Sequence, residues 1–162
     1  MKFSELVCEK AIVIGWPAQK KRESPTKWHL IEDLFLFLKE THELGDTLAQ
    51  KSYEAIIERE RSLSTGLGSH VALPHASVAG LPKPLGVCCL LKEGIDFESI
   101  DLLPAKIIVM LLMPKGQFER HIRTLAGIAQ LMNDQSFRDG LLEAKNPREA
   151  YTFILSYEEK QD

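Results

Sequence analysis

"AKIIVMLLMP", Ala105–Pro114, is apolar along its whole length except at Lys106 and closes on a proline. It shows no polar–apolar alternation, and a strand that reads as a continuous apolar run is buried on both faces. "LGVCCLLK", Leu85–Lys92, reads the same way. Two such strands require helices on both sides of their sheet. Upstream, "AIVIG" within Val7–Gly15 is a short β-branched run ending at glycine and predicts a first strand. From Thr26 onward Trp28, Ile31, Leu34, Phe35 and Leu38 recur at helical spacing, predicting a helix to about Leu44 that Gly45 stops. Asp46 is then expected to cap a second helix, which carries Arg59 and Glu60 at its C-terminal end. Phe118–Met132 and "NPREAYTFILSYEE" complete the helical pieces, the latter opening with Pro147 in its first turn. Strands alternating with helices argue for an α/β domain. The expected fold is a three-layer α/β/α arrangement, with a central mixed sheet of about five strands covered by helices on both faces. No repeat, low-complexity tract or linker interrupts it, so residues 1–162 are expected to form a single domain.

Composition narrows the function classes. The 162 residues are 44% hydrophobic and 27% charged, the mix of an ordinary globular domain. No apolar run approaches the roughly 20 residues that a bilayer span requires. In "MKFSELVCEK" charges interrupt the apolar residues too early for a signal-peptide core, so a cytoplasmic location and no membrane insertion are expected. A net charge of −3 offers no basic field for nucleic acid. Lys20-Lys21-Arg22, the one basic cluster, reads as solvated loop. Three cysteines without bridging or zinc-like spacing read as free thiols, with Cys88 and Cys89 inside an apolar strand.

The chemistry gathers in "RERSLSTGLGSHVALPHAS", Arg59–Ser77. Pro74 fixes its own φ and biases Leu73 toward extended geometry, so "VALPHA" predicts a strand that ends with the His75 imidazole projecting from its tip. Gly66 and Gly68 permit a tight turn, and Ser64 and Thr65 bring hydroxyls beside backbone N–H groups, a combination able to hold an anion. His121 falls in the first turns of the Phe118–Met132 helix, where the positive end of the dipole favours anions and lowers an imidazole's pKa. A neutral imidazole can serve as nucleophile or hydrogen-bond partner. Leu67, Val78, Leu81 and Phe118 are the apolar residues expected to form a docking rim around His75.

In order as well as in type, these residues resemble the active-site region of the type-2 enzyme IIA domains of the bacterial phosphoenolpyruvate-dependent phosphotransferase system, the mannitol, fructose and nitrogen-regulatory class. The matching residues are Arg59-Glu60, Ser64-Thr65-Gly66-Leu67-Gly68 and Val71-Ala72-Leu73-Pro74-His75-Ala76. The likeness continues through "GIDFESIDLLPAKIIVMLLMP" to His121, and from Ala144 to Ile154. It implies that His75 accepts a phosphoryl group from the carrier HPr and hands it on. It further implies that His121 neighbours His75 and that Arg59 offsets phosphate charge, with Thr65 and backbone N–H groups on the phosphoryl oxygens. The receiver would be a IIB-type acceptor or a regulatory target protein, and no cofactor or metal is implied. Phosphoryl transfer needs mainly positioning and electrostatic stabilisation, which suits this residue set.

Some features depart from that pattern. The family favours a small residue, often glycine, where this chain has His70, which is expected to point outward along the strand or to join the site. The Cys88-Cys89 pair and the "GWPAQKKRESPTKW" segment are also unusual, so residues 1–44 fit the resemblance only loosely. A regulatory module that uses phosphorylation of His75 to choose partners shares the same site. A metal enzyme built on His70, His75 and His121 is a remote alternative. A domain that kept the fold and lost the chemistry is disfavoured by the presence of His75, His121 and Arg59 together.

Overall fold

The two long apolar runs pair with each other. In the computed structural model, which describes residues 1–20 and 22–161, β5 (Leu85–Ile95) lies antiparallel to β6 (Ala105–Pro114), with Cys88 opposite Val109 and an irregularity between Leu90 and Ile95. β1 (Ile12–Ile14) adds in parallel to the outer edge of β5. The other edge of β6 carries three short pieces. β3 (Val71–Ala72) and β4 (His75–Val78) both run parallel to it, and β2 (Gly66–Gly68) folds back antiparallel on β3. The mixed sheet therefore has six strands, in the order β1-β5-β6-β3-β2 with β4 also on β6.

The sixth strand arises at Pro74. Ala72 sits opposite Ile108 and His75 opposite Leu111, so the register is the same on both sides of a break at Leu73-Pro74. Pro74 has no N–H to give, but its carbonyl accepts from the Leu111 N–H at 3.0 Å. This corrects the expected strand ending at His75. Once past the proline the chain again has N–H groups to offer, and the ladder resumes through Ala76, Ser77 and Val78. His75 opens a strand instead of tipping one.

Residues 85–91 of β5 and nearly all of β6 are buried, including consecutive residues that point to opposite faces. The layers that cover them form two groups. α2 (Lys27–Thr41) packs on α3 (Asp46–Ser62), with the Phe35 and Tyr53 rings edge to face at 5.3 Å. The other group comprises α1 (Phe3–Leu6), α4 (Phe118–Met132), α5 (Gln135–Leu142) and α6 (Pro147–Gln161). Phe3, Phe137, Phe153 and Tyr157 form its aromatic centre. A 3₁₀ turn over Glu9–Ala11 leads into β1. The fold is the expected α/β/α stack.

Two helix boundaries differ from expectation. α2 starts behind Thr26, whose N–H is accepted by the His29 ring at 3.1 Å, but it stops at Thr41. Glu43 adopts φ +50°, and Leu44 N–H returns to the Lys39 carbonyl at 3.0 Å while Glu43 N–H reaches Glu40. That is a left-handed helix stop with glutamate in glycine's usual place. Asp46 does not cap α3, because Gly45 holds that position and the Asp46 carboxylate takes the Lys39 ammonium at 2.7 Å. α5 lacked a sequence expectation altogether; it is capped by Asp134, which accepts from Ser136 N–H at 2.9 Å.

The N-terminal segment is tied to the body through buried Asp33. Its carboxylate accepts from the Trp16 indole at 2.7 Å and from Arg22 at 3.0 and 2.9 Å. Arg22 is thus a structural ligand of Asp33 and not a loose loop charge, while Lys21 lies outside the described residues. Cys88 and Cys89 are fully buried, and burial pushes the Cys88 thiol up to about 12. Both are inert at neutral pH, and Cys8 is half-buried and free.

Candidate functional site

A single carbonyl orients His75. The Leu73 oxygen lies 2.7 Å from Nδ1 of His75, and because a carbonyl can only accept, Nδ1 carries the proton. Nε2 is left with the lone pair. Leu73 is itself pinned, since its N–H donates to the Thr65 carbonyl at 3.0 Å. The imidazole is half-buried, and burial pulls its pKa below the ordinary histidine value. The bond to Leu73 works against that fall, while the charges of Arg59 and His121 reinforce it. His75 is therefore neutral at pH 7.

His121 meets His75 from the first turn of α4. The two rings stand edge to face with centroids 5.7 Å apart and planes at 75°. Nδ1 of His121 lies 2.7 Å from the Ser77 hydroxyl. Its pKa is also lowered, by burial. Arg59, near the end of α3, donates to the Leu63 carbonyl at 2.7 Å and lies within electrostatic reach of His75. Three of the four expected site residues are thus gathered.

Thr65 is placed otherwise. It is buried, its hydroxyl donates to Glu60 Oε1, and its N–H donates to Glu60 Oε2 at 2.9 Å. Its one hydroxyl proton is already spent, so the side chain cannot also serve a phosphoryl oxygen. Ser64 is spent too: its hydroxyl donates to the Phe97 carbonyl and accepts from Gly66 N–H. The Ser64–Gly68 turn is consequently a brace and not the open anion cradle that the hydroxyls suggested. Gly66 is required there, since a Cβ would stand 2.2 Å from Ser99 Oγ and 3.1 Å from the Phe97 carbonyl.

The anchor of that brace was not legible from the sequence. Lys27, the first residue of α2, reaches Glu60 Oε2 at 3.0 Å, and neither residue exposes more than 4% of itself. Glu98 lies 3.4 Å away on the other side, and the ammonium sits over the Trp28 and Phe97 rings at 5.0 and 5.7 Å. A buried ion pair survives when its charges are fully partnered, as here. Lys27 and Glu60 are 33 residues apart, so no local signal joins them. Ser77 did carry a signal, since it is two residues after His75 and side chains two apart share a strand face.

His70 stays out of the site. It forms a two-residue hairpin turn with Ser69, at φ +54° and +68°, and its ring bonds the Pro104 carbonyl at 2.8 Å. Both turn positions lie in the left-handed region, which explains why a glycine suits position 70. The proposed convergence of His70, His75 and His121 is contradicted. Among the described residues no three histidine, cysteine, aspartate or glutamate side chains are grouped to hold a metal. Of the expected rim, Leu67 and Phe118 are exposed, at 48% and 76%, whereas Val78 and Leu81 are buried. Val78 alternates with Ser77 and so turns inward; exposed Leu63 and Ile122 supply apolar surface instead.

A neutral imidazole with one free nitrogen, edge-on to a second imidazole and in the field of a guanidinium, is a nucleophile suited to an incoming anion. No helix among the described residues is long and apolar enough to cross a membrane. A fructose-specific EIIABC component of the phosphotransferase system from Bacillus subtilis is 32% identical over 160 residues, which are 99% of this chain and 24% of that protein. The chain thus spans about a quarter of that relative's length. The crystal structure of the nitrogen regulatory protein IIA-Ntr from Neisseria meningitidis matches with a TM-score of 0.78 at 26% identity, covering 93% of this chain and 97% of that one. Enzyme IIAMTL from Escherichia coli, solved in complex with phosphorylated enzyme IIBMTL, shares the fold at a TM-score of 0.66 and 21% identity over 92% and 96% of the two chains. Residues 19–157 match the family described as phosphoenolpyruvate-dependent sugar phosphotransferase system, EIIA 2, and the chain belongs to that family.

Proposed function

We propose that the protein is a phosphohistidine carrier in which His75 is the carrying residue. Nε2 of His75 attacks the phosphorus of a phosphohistidine on an HPr-type carrier. The new N–P bond forms as the carrier's N–P bond breaks, and the electron pair returns to the carrier's nitrogen. The same exchange in the opposite sense delivers the group to a IIB-type receiver. Such a transition state spreads charge over three equatorial oxygens and is served by positioned positive charge and N–H donors, here Arg59 and His121. The observation that carries the reading is the Leu73 carbonyl on Nδ1, which leaves Nε2 as the one nucleophilic nitrogen. Family membership supports the donor and receiver classes, and a relay of this kind places the chain in the cytoplasm.

A regulatory use of the same modification is the second reading, favoured by the likeness to IIA-Ntr. The phosphorylated protein, separated from its donor and mixed with IIB-type proteins, distinguishes the two. Loss of phosphate to a IIB-type protein marks a relay, and retention with an altered set of bound proteins marks a regulator. In a relay His121→Ala still accepts phosphate but passes it on about tenfold to a hundredfold more slowly, the worth of one hydrogen bond to a charged group. His121→Gln, which keeps an N–H donor, retains much of the rate. If His121→Ala passes phosphate as fast as the unaltered protein, His121 has no part in transfer.

A further inference from the structure

The Ser77 hydroxyl lies 2.7 Å from Nδ1 of His121 and has no other hydrogen-bond partner among the described residues. It reaches that ring because of strand periodicity. His75 and Ser77 alternate with buried Ala76 and Val78, so the two share the outer face of β4. Ser77 pairs in register with Met113, just before the turn that leads into α4 and His121. The hydroxyl and the imidazole are therefore carried by two different elements, and their contact spans the β4–α4 junction. We propose that Ser77 is a positioning residue for phosphoryl transfer, its hydroxyl donating to Nδ1 of His121 and so holding that imidazole as the tautomer with its proton on Nε2.

The direction of the bond follows from what a phosphoryl group accepts. Its oxygens are acceptors only, so His121 assists through an N–H and opposes transfer through a lone pair. With Nδ1 occupied by Ser77, Nε2 is the ring nitrogen left for the phosphoryl group. A neutral imidazole carries one proton, and it resides on Nε2 only if Nδ1 accepts. A serine hydroxyl has the proton to give. The site then holds two neutral imidazoles of opposite tautomer. His75 is protonated at Nδ1 by the Leu73 carbonyl and is nucleophilic at Nε2, whereas His121 accepts at Nδ1 and donates from Nε2. One carbonyl and one hydroxyl set the roles of two chemically identical rings.

The inference rests on the reading of His75 as the carrying residue, and its test separates the two. Ser77→Ala and Ser77→Thr are compared with the unaltered protein by imidazole ¹⁵N–¹H correlation spectra at fixed pH and by single-turnover transfer from the phosphorylated protein to a IIB-type receiver. Ser77 is exposed on a strand, so neither variant disturbs the core. Ser77→Ala is expected to convert His121 from one Nε2–H tautomer to a mixture and to slow onward transfer about threefold to tenfold, the range for a neutral hydrogen bond. The protein should still take up one phosphate at completion, and its thermal stability should be unchanged. Ser77→Thr, which keeps the hydroxyl, should restore both the tautomer and the rate. A Ser77→Ala protein with the His121 signature and transfer rate of the unaltered protein overturns the inference and leaves the carrier reading intact. An unaltered protein that takes no phosphate overturns the carrier reading itself.

Discussion

Which nitrogen of His75 keeps a free lone pair is decided by the carbonyl two residues before it, and how readily the ring protonates is set chiefly by its burial. Both have consequences for pH. His75 and His121 each titrate below the ordinary value of 6.5 when folded. As pH falls through about 6.5 the unfolded chain binds protons that the folded one resists, so stability drops from there down to the lower folded values and is unaffected by these groups above it. The slope is at most about 1.4 kcal/mol per pH unit for each proton. Denaturation midpoints from pH 7 to 5 should fall, and fall less in His75→Gln. A NMR titration of the His75 ring should show its inflection below 6.5. An inflection at or above that value would mean that the ring is not desolvated as described. At this scale the sequence drew His75, His121 and Arg59 together through their order along the chain, and the fold sets the two rings edge to face with Arg59 in electrostatic reach. It misassigned Thr65, because a hydroxyl beside a glycine turn looks the same whether it faces a ligand or a buried glutamate 5 residues away.

Among the elements, β5 and β6 were legible because burial on both faces writes itself as an uninterrupted apolar run. The β2–β3 hairpin was not. Its turn is Ser69-His70, which carries none of the Asn-Gly chemistry that marks such turns, and the conformation is held by the rest of the fold: Lys106 and Ile107 both donate to the His70 carbonyl. α5 escaped notice because eight residues with Gly140 inside give too weak a helical pattern. That glycine has a packing reason. A Cβ on Gly140 would stand 2.2 Å from the ring of Phe153 on α6, part of the aromatic centre, whereas a Cβ on Gly127 in α4 meets nothing within 4 Å. The same substitution should therefore act in opposite directions. Gly127→Ala gains about 0.5–1 kcal/mol from helix propensity. Gly140→Ala loses about 1–3 kcal/mol through overpacking. Urea titrations of the two variants decide it, and a stabilised Gly140→Ala would show that the α5–α6 contact is looser than described.

For the molecule as a whole, several of the apolar side chains left exposed belong to the elements that carry the site. Phe118 and Ile122 stand on the His121 helix, and Leu63 and Leu67 lie along the stretch between Arg59 and His75; all four are about half exposed or more. A carrier must bind a donor and a receiver in turn, and exchange complexes of that kind use small interfaces with few anchors. Phe118→Lys should slow phosphate acceptance from an HPr-type donor several-fold while leaving the melting temperature unchanged, since a side chain 76% exposed contributes little to the core. An unchanged acceptance rate would remove this surface from the docking site. The most direct test of the central claim is intact-mass measurement after incubation with phosphoenolpyruvate, enzyme I and HPr. The unaltered protein should gain one acid-labile phosphate and folded His75→Ala none. A His75→Ala protein that still gains the phosphate would contradict the assignment of His75 as the carrying residue.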